Sequence, residues 1–344
     1  MVTMQDVARH AGVSVMTVSN VVNEHPHVRK ATREKVVASI AELGYRVNTT
    51  ARSLRQGRTG VIGLAIPEID RPYFGLLSTL LIERAREHDY EIVIEQTGSR
   101  REGEMDAIQH SRLRSYDGLL LHAAQLAQDD AALLRGDYPI VVLGERAHSA
   151  PVDHVVMANE AGGALAARHL IERGCRRLAM VGGRPWSPGD VDVATIRTKG
   201  FVEAIESAGL PFEPEQVVRT RYGLEESRDA VRGLLRDVPD VDGVFCATDW
   251  VAFGVLRGLA DAGKSVPGDV RIVGFDDVPQ AEFTTPSLTS IAPDHEAMAD
   301  AAVRLLVGRI SGERARDDYQ EVVGQVTLRV RESSGADLRV VPPA

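Results

Sequence analysis

Cysteine is nearly absent from this chain, with Cys175 and Cys246 the only two among 344 residues. Both lie in segments that read as buried α/β structure, so both are expected in the core; a disulfide framework is excluded and a reducing cytoplasm fits. Long apolar runs are also missing, since none approaches eighteen residues. The start, MVTMQDVARH, lacks the basic, apolar and small-residue order of a secretory leader, so neither a membrane span nor a signal peptide is expected. Two catalytic signatures are absent too: G-x-G-x-x-G after the first strand, and G-x-S-x-G. HEAMA at 295–299 ends in Ala299 where a zinc motif needs His, and the ten histidines show no ligand-like spacing. These absences argue against an enzyme, a metal site and a bound cofactor. The tail SSGADLRVVPPA carries no leucine heptads, so no helical tetramerisation device is expected in it.

What is present is enough for two or three folding units, given 44% hydrophobic residues over this length. The net charge of −9 hides an asymmetry: residues 1–58 carry nine Lys/Arg against four acids, while the remainder carries 31 against 45. A small basic end on an acidic body predicts a nucleic-acid or other anionic partner for that end.

The basic end reads as three helices. Thr3 with Asp6 three residues on forms a capping-box-like pair, followed by Val7, Ala8 and Ala11 on one face, and Gly12 stops the helix. Ser14 caps a second helix with Val18, Val21 and Val22 inward, so AGVS forms the corner of a helix-turn-helix. A third begins near Thr32, with Val36, Val37, Ile40 and Leu43 at helical spacing and Gly44 as its breaker. A helical bundle without a DNA role is the plain alternative; the positive charge, the capped second helix and the polar outer face favour DNA. In such a motif the first turn of the second helix faces base edges, which makes Val15, Met16 and Asn20 the base readers. Thr3, Ser14, Thr17, Ser19, Asn23, His27 and Tyr45 are the expected phosphate contacts, with the helix N-terminus.

Beyond the head, NTTARSLRQGRTG at 48–60 reads as a basic tether with one large apolar residue, Leu54. The body alternates β-branched runs (GVIGLAIP, YEIVIEQT, YDGLLLHA, PIVVLGE, HVVMAN, RRLAMVGG, EQVVRTRY, DGVFCATD, VRIVGFDD) with helical stretches at 73–88, 101–115, 160–174, 194–209, 224–237 and 249–263. Strands alternating with helices predict parallel sheets covered on both faces, and the series divides near Ala158.

The chain resembles the lactose-repressor (LacI/GalR) family of bacterial transcription factors. The resemblance rests on VTMQDVARHAGVSVMTVSNVVN, TREKVVASIAELGYRVN and ARSL, and in the body on GLAIPEIDRPYF, DGLLLH, HLIERGCRRLAMVGG, RTKGF, CATDWVAFGVL and VRIVGFDDVPQAEFTTPSLTSI. It implies an α/β fold: a helix-turn-helix head (1–46), a hinge helix (47–58), and a periplasmic-binding-protein-like core (59–344) of two doubly wound parallel-sheet subdomains. The first would take about 59–158 and 292–321 and the second about 159–291 and 322–337, with crossovers near 157–160, 290–294 and 320–324. It also implies that the hinge folds on DNA, where Leu54 enters the minor groove beside Asn48, Ala51 and Arg55, unstacking a base step in return for added contact.

By the same resemblance a small effector occupies the cleft between subdomains, at strand C-terminal ends. Motif matching assigns Asp70, Phe74, Glu145, Arg197, Tyr222, Thr248, Asp249 and Asp276 to it, a set suited to a sugar or polyol. Asp249 reads equally well as a helix cap. Two positions depart from the family pattern, Ala158 where an acid is frequent and Thr248 where Asn is common. The expected function is a cytoplasmic, nucleoid-associated repressor that binds palindromic double-stranded operator DNA as a homodimer. One alternative keeps this build but senses a purine or other heterocycle stacked on Phe74 and Tyr222. Another, a solute-binding module without DNA binding, is opposed by the basic head and the missing leader.

Overall fold

The computed structural model describes residues 2–22, 25–45, 58–114, 116–126, 130, 134, 136–144, 151–187, 192–315 and 317–335. The chain divides into two compact units, Met1–Thr59 and Gly60–Ala344. The expected hinge residues Asn48, Ala51, Leu54 and Arg55, together with Asn23 and Glu145, lie outside the described residues.

The first unit contains α1 (Met4–Ala11), α2 (Val15–Val22) and α3 (Lys30–Leu43). The capping box at Thr3 and Asp6 forms in both directions, and Gly12 ends α1 in the left-handed region (φ 62°), which glycine adopts without a Cβ penalty. Val7, Ala11, Val18 and Val36 are fully buried and make the core of this unit. Two details differ from expectation. The third helix starts at Lys30, two residues earlier than Thr32. Val37, expected inward, is 54% exposed, because the buried stripe runs Val36, Ile40, Leu43 and the next residue along turns about 100° away from it.

The second unit holds two six-stranded sheets. The first has the order β11-β5-β4-β3-β1-β2, built from β1 (Val61–Ile66), β2 (Glu91–Gln96), β3 (Gly118–His122), β4 (Ile140–Leu143), β5 (Asp153–Met157) and β11 (Glu321–Gly324). All its pairs are parallel. The second has the order β12-β10-β9-β8-β6-β7, with β6 (Leu178–Val181), β7 (Val217–Val218), β8 (Gly243–Cys246), β9 (Arg271–Phe275), β10 (Thr289–Pro293) and β12 (Val326–Arg329). Its one antiparallel pair is β10 with β12 at the edge.

Helices cover both faces of each sheet. On the first sheet α4 (Pro72–Glu87) and α10 (His295–Ile310) bury Leu77, Leu81, Ala302 and Leu306 with Ile62 and Leu64, while α5 (Arg101–Leu113) packs Ala107 and Ile108 on the opposite face. On the second, α6 (Asn159–Glu172) and α7 (Val193–Ser207) lie on one side, and α8 (Leu224–Asp237) and α9 (Asp249–Asp261) on the other. The two-residue period of a strand sorts the faces: Val244 and Cys246 join the α8–α9 side and Phe245 the α6–α7 side.

The chain passes between sheets at Ala158, Asp294 and Gln325. The last point lies just beyond the expected 320–324 window, because Glu321–Gly324 is an edge strand of the first sheet with Val322 paired to Val155. Both cysteines are buried as free thiols. Among the described residues no helix is long and apolar enough to cross a membrane, and no cluster of His, Cys, Asp or Glu is arranged to hold a metal ion.

Candidate DNA interface and effector cavity

In the first unit the start of α2 is fixed by its cap, since Ser14 Oγ accepts the Thr17 N–H at 3.1 Å and lies 2.8 Å from the Thr17 hydroxyl. Val18 and Val21 face inward, which turns Val15 (42% exposed) and Met16 (70%) outward on the first turn. Two exposed apolar side chains beside a helix N-terminus suit contact with a thymine methyl. Asn20 is half-buried one turn on, and its carbonyl accepts the His25 N–H at 2.9 Å. Thr17 and Ser19 are half-buried and His27 is exposed. Thr3 spends its hydroxyl on the capping box, 2.6 Å from Asp6, and Tyr45 packs against the core of this unit.

In the second unit a cavity of about 500 Å³ opens at the C-terminal ends of the strands of both sheets. His122, Leu143 and Met157 reach it from the ends of β3, β4 and β5, and Gly182, Thr248 and Asp276 from just after β6, β8 and β9. Strand C-termini in open α/β sheets are where ligands bind.

Arg197 is its most constrained member. Helices α6 and α7 meet through glycines: a Cβ at Gly163 would lie 2.2 Å from the Arg197 carbonyl oxygen, and one at Gly200 would lie 1.9 Å from that of Glu160. This close approach drives Arg197 to 3% exposure. Its Nε donates to Asn159 Oδ1 at 2.7 Å, its Nη1 to the Ala247 carbonyl, and its guanidinium carbon sits 3.4 Å from the centre of the Phe275 ring. Its Nη2 lies 3.7 Å from Asp276 Oδ1, too far for a tight bond. Asp276 is therefore a buried carboxylate next to a cation that does not saturate it. Burial pushes its pKa up to about 7, outweighing the opposing effect of Arg197.

Two other polar groups at the cavity are also unsaturated. The Tyr222 hydroxyl and His122 Nδ1 are buried without a hydrogen-bond partner. Burial holds the Tyr222 phenol protonated, with a pKa pushed up to about 12, and drops that of His122 to about 4, so the imidazole is neutral. An unpaired buried polar atom costs about 1–3 kcal/mol, so a polar ligand group reaching either one is rewarded. Phe74 meets His122 edge to face at 4.9 Å and supplies an apolar wall.

Of the eight motif-matched residues, the cavity brings together Phe74, Arg197, Tyr222, Thr248 and Asp276. Asp70 is exposed and is not among the lining residues. Asp249 requires a correction. It is fully buried and does not line the cavity; its carboxylate accepts the Ser290 hydroxyl at 2.6 Å and the Val278 N–H at 2.8 Å. Burial raises its pKa well above the carboxylate range, with Asp276 adding to the effect. It pins the start of α9 to the segment after β9, while its neighbour Thr248 caps α9, accepts the Val251 N–H at 3.1 Å and also faces the cavity. Sequence reasoning missed His122, Tyr73 and Trp250 in the lining. His122 had a signal: it is the polar residue that ends the apolar strand GLLLH, and such strand ends form the site.

Residues 3–48 match the family described as bacterial regulatory proteins, lacI family, and residues 167–334 match the periplasmic binding protein-like domain. The ribose operon repressor of Halalkalibacterium halodurans is 34% identical over 97% of this chain and 97% of its own length. A crystal structure of the lac repressor dimer bound to operator and an anti-inducer superposes with a TM-score of 0.80 at 25% identity, covering 97% of this chain and 99% of that one. The complex of the regulator CelR with cellobiose gives 0.71 at 32% identity, covering 97% and 100%. These matches run from the helix-turn-helix head through the unit that holds the strand-end cavity, and the chain belongs to the lacI family of bacterial regulatory proteins.

Proposed function

We propose that this protein is a cytoplasmic, homodimeric repressor whose DNA binding is controlled by a neutral sugar or polyol held in the strand-end cavity. In this reading residues 1–46 are the DNA-binding head, with Val15, Met16 and Asn20 on base edges, and 47–58 are a hinge that places Leu54 in the minor groove. The observation that carries the sugar reading is the pairing of Arg197 with an unsaturated Asp276 in a cavity that also offers the Phe74, Tyr222 and Trp250 rings. A planar guanidinium and a carboxylate bridge neighbouring hydroxyls, and aromatic faces cover the C–H side of a pyranose or furanose. The similarity to a regulator solved with cellobiose supports the same ligand class.

The test is thermal-shift screening of the purified protein against cellobiose, ribose, xylulose and a nucleobase set. A ligand that binds the native state alone raises the melting temperature. A sugar is expected to do so for the wild type and not for Arg197→Leu; stabilisation by nucleobases alone refutes the sugar reading.

A further inference from the structure

We propose that Glu104 is the positioning residue for the first-sheet wall of the effector cavity, an inference that rests on reading that cavity as the effector site. Glu104 sits on the first turn of α5 and is fully buried. One of its carboxylate oxygens accepts the N–H groups of Ala124 at 2.8 Å and Gln125 at 3.0 Å; the other accepts those of Gln125 at 3.2 Å and Leu126 at 2.8 Å. Three consecutive backbone donors end on a single side chain. They belong to the segment directly after β3, in which Ala123, Ala124 and Gln125 line the cavity.

The helix that carries Glu104 is itself seated on a second cavity loop. A Cβ at Gly103 would lie 2.1 Å from the Thr97 carbonyl oxygen, so glycine lets α5 rest directly on the loop after β2. That loop turns through left-handed backbone at Gly98 (φ 69°) and Ser99 (φ 53°), and Ser99 also lines the cavity. The first turn of α5 thus holds two cavity loops, one by backbone contact and the other by a carboxylate.

The chemistry of the second hold is specific. Hydrogen bonds to an ionised acceptor are about twice as strong as neutral ones, and a carboxylate has two oxygens to divide among the three donors. Glutamine, of the same shape, keeps one acceptor and turns an NH2 group toward N–H groups. Aspartate keeps the charge but withdraws it by one methylene. Glu104 is not in the cavity lining; any effect it has on ligand runs through residues 124–126.

The experiment compares full-length wild type, Glu104→Gln and Glu104→Asp by amide hydrogen exchange, with cellobiose as the ligand probe. In Glu104→Gln the amides of 124–126 are expected to exchange about tenfold faster while those of β1 change less than about twofold. Affinity for cellobiose should fall about tenfold while operator affinity without sugar stays within about twofold, a split that a general loss of stability does not produce. Glu104→Asp should fall between the two and keeps the claim testable if the Gln variant does not fold. Unchanged exchange at 124–126 in both variants overturns the proposal. So does uniform loss of protection across the core, or faster loop exchange with unaltered cellobiose affinity. If cellobiose fails to bind the wild type, the sugar reading is what fails, and the exchange rates alone uphold or overturn the role of Glu104.

Discussion

Asp276 combines three unusual conditions: a left-handed backbone (φ 106°), 4% exposure, and a guanidinium at 3.7 Å that leaves it unsaturated. With its pKa raised from 3.8 to about 7, the folded protein binds more protons than the unfolded chain between those values. Stability from this group is therefore greatest below about pH 4 and is lost as pH rises through about 7. Ligand binding has the opposite sign. A sugar that donates hydroxyls to the ionised carboxylate selects the deprotonated form, so affinity should fall about tenfold for each pH unit below 7. Titration calorimetry across pH 5.5–8 checks this, and in Asp276→Asn the slope should vanish; an unchanged slope would assign the titration elsewhere. Asp249 behaves differently although it is also a buried acid. Asp249→Ala orphans the Val278 N–H, at about 1–3 kcal/mol, takes from the Ser290 hydroxyl its shortest acceptor, and should lower the urea midpoint accordingly. These residues also mark the limit of what sequence could tell. Thr248 and Asp249 are adjacent polar residues in ATDW, and only tertiary packing decides that one faces the cavity and the other is sealed beneath Gly274, where a Cβ would lie 2.1 Å from its carboxylate.

At the scale of elements, the strands and helices of 61–263 and strand β9 were legible because their apolar runs are bounded by turn residues and their periods are distinct. Strand β10 and helix α10 are not legible in the sequence in the same way. In β10, Thr289 and Ser290 are fully buried, and their hydroxyls are satisfied by Ser334 and Asp249, so the strand looks polar while lying in the core. The α6–α7 crossing was equally invisible, since Gly163 and Gly200 read as weak helix residues, yet they set the position of Arg197. Gly200→Ala forces a Cβ toward the Glu160 carbonyl and should cost about 1–3 kcal/mol in stability, or more. Sugar affinity should fall with it, because α7 must move with Arg197. Thermal melts paired with ligand titration test this; full affinity in a folded variant would separate the crossing from the site. In the head, α2 was legible down to its cap, and Asn20→Ala should cost about 1–3 kcal/mol per half-site and relax preference at one base pair. Equal weakening on all sequences, measured by competition binding, would make Asn20 a backbone contact.

On the scale of the whole molecule, the division of charge and the order of the units were written in the sequence: a +5 end and a −14 body. What sequence withheld was which side chains converge, because the cavity draws on strand ends of both sheets, and half-buried His122 lies far in sequence from Tyr222. If occupancy of this cavity controls DNA binding, a ligand held there moves operator affinity. The most direct measurement is operator affinity, on a site selected from random DNA at fixed salt, with and without each sugar that stabilises the protein, for wild type and Arg197→Leu. At least one such sugar is expected to change wild-type operator affinity by about tenfold, a coupling of about 1.4 kcal/mol, and to leave the variant unmoved. A sugar that binds the cavity tightly and leaves wild-type operator affinity unchanged would show that the cavity does not control DNA binding.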